Sequence, residues 1–100
     1  MTLWTLLLTS RMMMTIKTDK PFIKKANKYF KKDPALKKAY LEFANKILNN
    51  PFDPSLKSHK LSGNLKDRYA CSLTHDIRIT FKLSDDTVYL LNIGTHDVVY

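Results

Sequence analysis

The chain has 100 residues, with 17 Lys or Arg against 9 Asp or Glu, so its formal net charge is +8. That length makes one domain with one modest core, and an apolar fraction of 44% excludes a chain disordered throughout. The charge excess favours a polyanionic partner: nucleic acid, an acidic lipid surface or an acidic protein.

In chain order, residues 1–13 read as an N-terminal appendage, followed by a single domain over residues 14–100. The segment from Met1 to Arg11 is apolar but too short to span a bilayer. It lacks the basic leader and small-residue cleavage site of a signal peptide. Met12, Met13 and Met14 follow directly, and each is an alternative start. Met14-Thr15-Ile16-Lys17 alternates weakly and predicts a short first strand.

Thr18-Asp19-Lys20-Pro21 predicts a helix start, with a capping side chain and proline in the first turn. Phe22, Ile23, Ala26, Tyr29 and Phe30 then recur at helical spacing, with Lys24, Lys25, Lys28, Lys31 and Lys32 on the other face. Asp33-Pro34 is a second start of the same kind. Leu36, Ala39, Tyr40, Phe43, Ala44, Ile47 and Leu48 form its apolar stripe, and Asn49-Asn50-Pro51 ends it. Two basic amphipathic helices joined by a short turn make a helical hairpin, with the aromatic residues in its core.

Residues 51–65 read as a loop with two prolines, the His59 segment and Gly63-Asn64. The period then changes to two. Tyr69, Cys71 and Leu73 alternate with Arg68, Ala70 and Ser72; Ile77, Ile79, Phe81 and Leu83 alternate with Arg78, Thr80 and Lys82. Ser84-Asp85-Asp86-Thr87 is a hairpin turn, and the nearly continuous apolar run Val88–Ile93 is a central strand. The expected fold is α+β: a short N-terminal strand, the helical hairpin, then a three-stranded antiparallel meander. The helices cover one face of the sheet, and Arg68, Arg78 and Lys82 lie on the other. The single cysteine, Cys71, has no internal disulfide partner, which fits a reducing cytoplasm, and its strand position predicts a buried core residue.

The chain has no phosphate-binding glycine loop, dinucleotide fingerprint, serine nucleophile elbow or Cys/His zinc spacing. Its three histidines come from separate regions at irregular spacing, so neither a metal site nor a cofactor is expected. Histidine exchanges protons near neutral pH. Imidazoles, a carboxylate and a guanidinium in a basic protein point to acid–base chemistry on a phosphate ester. Cleavage of RNA by its own 2′-hydroxyl needs a base, an acid and a cation over the phosphate, and its nucleophile comes from the substrate. His59, His96 and Asp76 are the candidates for base and acid, with the division between them open. Arg78, on the strand between the two histidines, has the planar fork suited to phosphate. Lys57, Lys60, Lys66, Arg68 and Lys82 are candidates for holding flanking RNA backbone. Tyr100 can stack on a base or donate a hydrogen bond. His75 reads as a turn residue.

Three segments carry a family resemblance: His59-Lys60-Leu61-Ser62-Gly63, then Asp76-Ile77-Arg78-Ile79-Thr80-Phe81-Lys82-Leu83, then Gly94-Thr95-His96. They resemble the RelE superfamily of bacterial toxins, and most its YafQ branch. With the helical hairpin and strand order, the likeness covers residues 14–100. It implies the toxin of a type II toxin–antitoxin system: a cytoplasmic, ribosome-dependent endoribonuclease (mRNA interferase) that halts translation. The implied partners are the ribosome, mRNA and a cognate acidic antitoxin, with no membrane. YafQ-like members match His59, Asp76, His96 and the aromatic Tyr100; Arg78 matches the strand arginine of RelE-type members. Ser72 stands where YafQ-like members have another histidine, and Ile77 where they have tryptophan, so the acid–base set is thinner here. Two alternatives use the same scaffold: a ParE-like, non-enzymatic toxin acting on DNA gyrase, and a non-catalytic RNA-binding module.

Overall fold

The computed structural model describes residues 14–61 and 67–95. Strand β1, Thr15–Thr18, is followed at once by helix α1, Lys20–Lys32. Asp19 caps α1: its carboxylate accepts the Phe22 N–H at 2.9 Å, and Pro21 occupies the first turn, where its missing N–H costs nothing. Lys31 and Lys32 stand in the last turn, where positive charge suits the helix dipole. Asp33 then does two jobs. Its N–H donates to the Tyr29 carbonyl at 3.0 Å, closing α1, and its carboxylate accepts the Ala35 N–H at 3.1 Å, opening α2 over Pro34–Asn49. One shared capping residue makes the helical hairpin tight.

The hairpin carries the chain from one edge of the sheet to the other. The sheet has five strands in the order β1-β5-β4-β3-β2, with β2 His59–Lys60, β3 Tyr69–Ser72, β4 Arg78–Ser84 and β5 Thr87–Gly94. The expected β3–β4–β5 meander is present, and β1 adds to β5 in parallel, Ile16 opposite Val88. Asp85 takes the left-handed conformation (φ 54°) at the β4–β5 turn, a position Asp tolerates.

The stretch 51–65 departs from the expected plain loop. It contains a short 3₁₀ turn, Pro54–Leu56, capped by Asp53, and then β2. The Asp53 carboxylate accepts from both the amide and the hydroxyl of Ser55, which holds its pKa below the usual value. Lys57 turns the chain through a left-handed φ of 53°, and His59 and Lys60 then pair with Ala70 and Tyr69. Two residues are too few to show an alternating pattern, and only β3 makes them a strand. The sheet is therefore mixed and five-stranded, rather than a meander with one added strand.

A second departure lies inside β5. Thr80 faces Asn92 but Phe81 faces Leu90, so Leu91 is an extra residue. Such a bulge re-aims the strand beyond it.

The core lies between the helices and one sheet face. Ile79, Phe81, Val88, Leu90 and Ile93 from the sheet meet Phe22, Phe43 and Ile47 from the helices. The Phe30, Tyr40 and Phe43 rings follow one another at centroid distances of 5.5 and 5.8 Å, and burial raises the Tyr40 phenol pKa. Cys71 is fully buried in this layer, as its strand position predicts. Burial pushes its thiol up to about 12, against the opposing effect of the Arg78 charge. A thiol held neutral and out of solvent is a packing group, not a nucleophile. No helix among the described residues is long and apolar enough to cross a membrane.

Candidate active site

The sheet face away from the helices is built on two cross-strand rows. His59, Ala70, Thr80 and Asn92 stand in register across β2, β3, β4 and β5. Ser72, Arg78 and Gly94 form the next row. Ala70 and Thr80 are buried, at 0% and 4% exposure, yet neither belongs to the apolar core cluster. Ser72 and Gly94 are the other small residues of this face, which also carries the longer His59, Arg78 and Lys82. Sheet spacings put the Cα atoms of His59 and Arg78 roughly 12 Å apart, two strands and two residues away from each other.

His59 is exposed at the edge of this face, in the sheet rather than ahead of it. Its Nδ1 lies 3.2 Å from the Lys57 carbonyl oxygen, an approach created by the left-handed turn at Lys57. A carbonyl can only accept, so this contact is a hydrogen bond in the ring forms that carry hydrogen on Nδ1.

Arg78 is half-buried and serves the turn between β3 and β4. Its Nη1 donates to the carbonyls of Thr74 and His75, at 3.0 and 2.9 Å. The same turn is closed by the Leu73 and Thr74 amides on the Ile77 carbonyl, at 2.9 and 3.2 Å, and by the Thr74 hydroxyl accepting from the Ile77 amide at 3.2 Å. Exposed His75 and Asp76 are therefore presented on a tied turn at the end of the Ser72–Arg78 row. The single ion pair among the described residues joins Arg68 to its neighbour Asp67 at 3.9 Å. Asp76 and Arg78 thus sit near each other without pairing, and the guanidinium keeps donors beyond the two bonds to the turn.

The expected RNA-holding residues divide. Lys82 lies on the face of Arg78, and Lys57 and Arg68 are exposed near the β2–β3 edge. Lys60 pairs with Tyr69, whose side chain belongs to the helix side, so strand alternation turns Lys60 away from His59. Lys66, His96 and Tyr100 lie outside the described residues. Sequence reasoning missed Asn92. Its Oδ1 accepts both the Lys25 Nζ at 2.8 Å and the Ile93 amide at 2.9 Å, tying α1 to β5 past the end of β1. The signal was available: Asn92 is the one amide side chain in the nearly continuous apolar run Val88–Ile93. Among the described residues, no group of three His, Cys, Asp or Glu side chains lies close enough to hold a metal ion.

The family model for the bacterial toxin of type II toxin–antitoxin systems, YafQ, matches residues 14–100. The chain belongs to the YafQ toxin family. Among solved structures, a metal-bound toxin from Helicobacter pylori is 31% identical, with a TM-score of 0.69 over 88% of this chain and 100% of that one. The E. coli DinJ–YafQ toxin–antitoxin complex matches at 20% identity and a TM-score of 0.70, over 88% of this chain and 98% of that one. A YoeB/ParE toxin from Agrobacterium tumefaciens reaches a TM-score of 0.73 at 13% identity, over 83% and 99% of the two chains, a likeness of fold alone. No curated protein matches the chain. This YafQ-family toxin thus has the α+β fold expected of it, and its His59, Ser72 and Arg78 share one side of the sheet.

Proposed function

We propose that this YafQ-family toxin is an endoribonuclease that cuts mRNA on the ribosome, using the RNA's own 2′-hydroxyl as nucleophile. The observation that carries this reading is the joint placement of His59 and Arg78 on one sheet face, with Arg78 tying the turn that presents Asp76. A base drawn from His59, Asp76 and His96 takes the 2′-hydroxyl proton. The 2′-oxygen then attacks the adjacent phosphorus, and the bond from phosphorus to the 5′-oxygen breaks. A second member of the set gives the departing oxygen its proton. The products are a 2′,3′-cyclic phosphate and a 5′-hydroxyl, and no metal is required because the substrate supplies the nucleophile. The donors left on Arg78 offset the charge that grows on the phosphate oxygens. Tyr100 stacks on a base or donates a hydrogen bond, and Lys57, Lys66, Arg68 and Lys82 hold the flanking strand. Lys60, turned to the other side, serves only RNA that passes round the β2 edge.

The partners in this reading are the ribosome, mRNA and an acidic antitoxin, all in the cytoplasm. The net charge of +8 supports both the polyanion and the acidic protein. The test is induced expression of the wild-type chain and of His96→Ala, with growth and mRNA integrity followed together. Loss of growth arrest and of mRNA cleavage in the variant is expected. Arrest and cleavage that persist unchanged would remove His96 from the chemistry, and arrest with DNA damage and intact mRNA would replace a ribonuclease with a gyrase poison.

A further inference from the structure

Large apolar residues are exposed at three places among the described residues: Ile23, Leu41 and Phe52. Ile23 and Leu41 lie on the two helices, and Phe52, 50% exposed, stands in the link from α2 to β2. The Phe52 ring meets Tyr69 edge-on, at a centroid distance of 5.4 Å and an angle of 79°. Tyr69 in turn stacks on the fully buried Phe81 at 5.5 Å and 21°. The three rings therefore run from the core to the surface. The link that carries Phe52 is tied down as well. Asn50 Oδ1 accepts the Phe52 amide at 3.0 Å, and the Ser58 hydroxyl donates to the Pro51 carbonyl at 2.7 Å. An exposed ring held in this way loses little freedom when a flat group stacks on it.

The surroundings of Phe52 favour a nucleobase over a protein side chain. Lys60 is the cross-strand partner of Tyr69, so the two side chains leave the sheet on the same side, where Phe52 meets the Tyr69 ring. Two carboxylates lie nearby, and both are engaged: Asp53 by the amide and hydroxyl of Ser55, and Asp67 by Arg68. A protein interface takes about 800 Å² from each partner, with apolar anchors at its centre and few lysines. One aromatic ring beside cations instead fits a single base with its phosphates. The position also continues the candidate active site. Strand β2 is the edge of the sheet, and on it His59 and Lys60 are neighbours facing opposite ways. An RNA strand that leaves the His59 face over this edge next meets the side of Lys60 and Phe52.

We propose that Phe52, backed by Tyr69, is a stacking site for an unpaired base of single-stranded RNA, with Lys60 on an adjoining phosphate. The site holds the strand where it turns round the β2 edge, outside the His59–Arg78 face. The proposal rests on the ribonuclease reading only for which RNA supplies the base; stacking itself is independent of cleavage.

The test uses the full chain and its Phe52→Leu variant, because leucine keeps an apolar cover over Tyr69 but has no ring face. Binding is measured to two short single strands of equal length and charge, an oligodeoxyadenylate and an abasic deoxyribose-phosphate strand. Neither has a 2′-hydroxyl, so neither is cut by the proposed route, and base stacking tolerates the change of sugar. The wild-type chain is expected to prefer the strand with bases. Phe52→Leu should lower that preference by about 5- to 100-fold, with abasic binding and the salt dependence unchanged. Phe52→Tyr should keep the preference, and Lys60→Gln should flatten the slope of log K against log salt by about 1 for both strands. Equal wild-type binding of the two strands would overturn the proposal, as would an unchanged preference in Phe52→Leu or an equal loss for both strands. Unchanged strand binding with weakened binding to a poly-glutamate peptide would overturn it in favour of a protein dock. If the wild-type chain leaves mRNA intact on ribosomes but Phe52→Leu still loses the preference, the cleavage reading fails and this one stands.

Discussion

The two faces of the sheet use the same strands for opposite purposes. On the helix side, β4 and β5 present Ile79, Phe81, Val88, Leu90 and Ile93, all of them buried beneath the helical hairpin. On the other side the same strands, with β2 and β3, present Thr80, Arg78 and Lys82 among Ala70, Ser72 and Gly94, with His59 at the edge. Large apolar residues fill one face, and small residues beside long polar ones make up the other. Because side chains alternate along a strand, one residue of sequence separates a group that holds the fold together from a group available for chemistry. Stability and reactivity should therefore respond to different substitutions within a few residues of each other on β4.

The largest loss of stability is expected at Phe81. It is fully buried and stacked on Tyr69 at 5.5 Å, so Phe81→Ala should cost about 3 to 5 kcal/mol in denaturant unfolding. A cost under about 1 kcal/mol would show that the helix-side face does not carry the core. Arg78→Ala comes next, because it crosses the division. Removing two hydrogen bonds to the carbonyls of Thr74 and His75 should cost about 1 to 3 kcal/mol and loosen the turn bearing Asp76. Loss of cleavage should exceed what that destabilisation explains; a loss matched by turn disorder alone would make Arg78 a structural residue only. Asp19→Ala should cost about 1 kcal/mol, through loss of the α1 cap, with cleavage per folded molecule unchanged. Reduced cleavage from that change would tie the helical layer to the chemistry.

The smallest effect at neutral pH belongs to Cys71. Its folded-state pKa is raised from 9.0 to about 12, so the unfolded chain gives up this proton first. Its contribution to stability is complete below pH 9.0 and is lost as pH rises towards about 12. Alkylation of Cys71 in native protein at pH 8 should follow global unfolding, and rapid labelling would contradict its burial.

Both helix starts were legible in the sequence, because Asp19 and Asp33 are local signals whose capping bonds span two or three residues. The strands β3, β4 and β5 were legible from their period and turn. Strand β2 was not: its pairing depends on β3, and its two residues carry no period of their own. The bulge at Leu91 was hidden because an apolar run reads the same with or without a register shift. At the candidate site, alternation put Arg78 on the open face, but its bonds to the Thr74 and His75 carbonyls required the folded turn. His59 and Lys60 read as one basic segment, and only pairing with Ala70 and Tyr69 separates them to opposite sides. Lys25 looked like every other lysine of α1 until the fold set it against Asn92.

The division between the faces is tested most directly at His59, which is exposed and makes no contribution to the apolar core. Purified His59→Ala protein is added to translating ribosomes, with its unfolding midpoint measured in parallel. A midpoint close to that of the wild type is expected, with mRNA cleavage slower by about 10²- to 10⁴-fold, the range for loss of a positioned acid or base. Cleavage at the wild-type rate in a fully folded variant would contradict it.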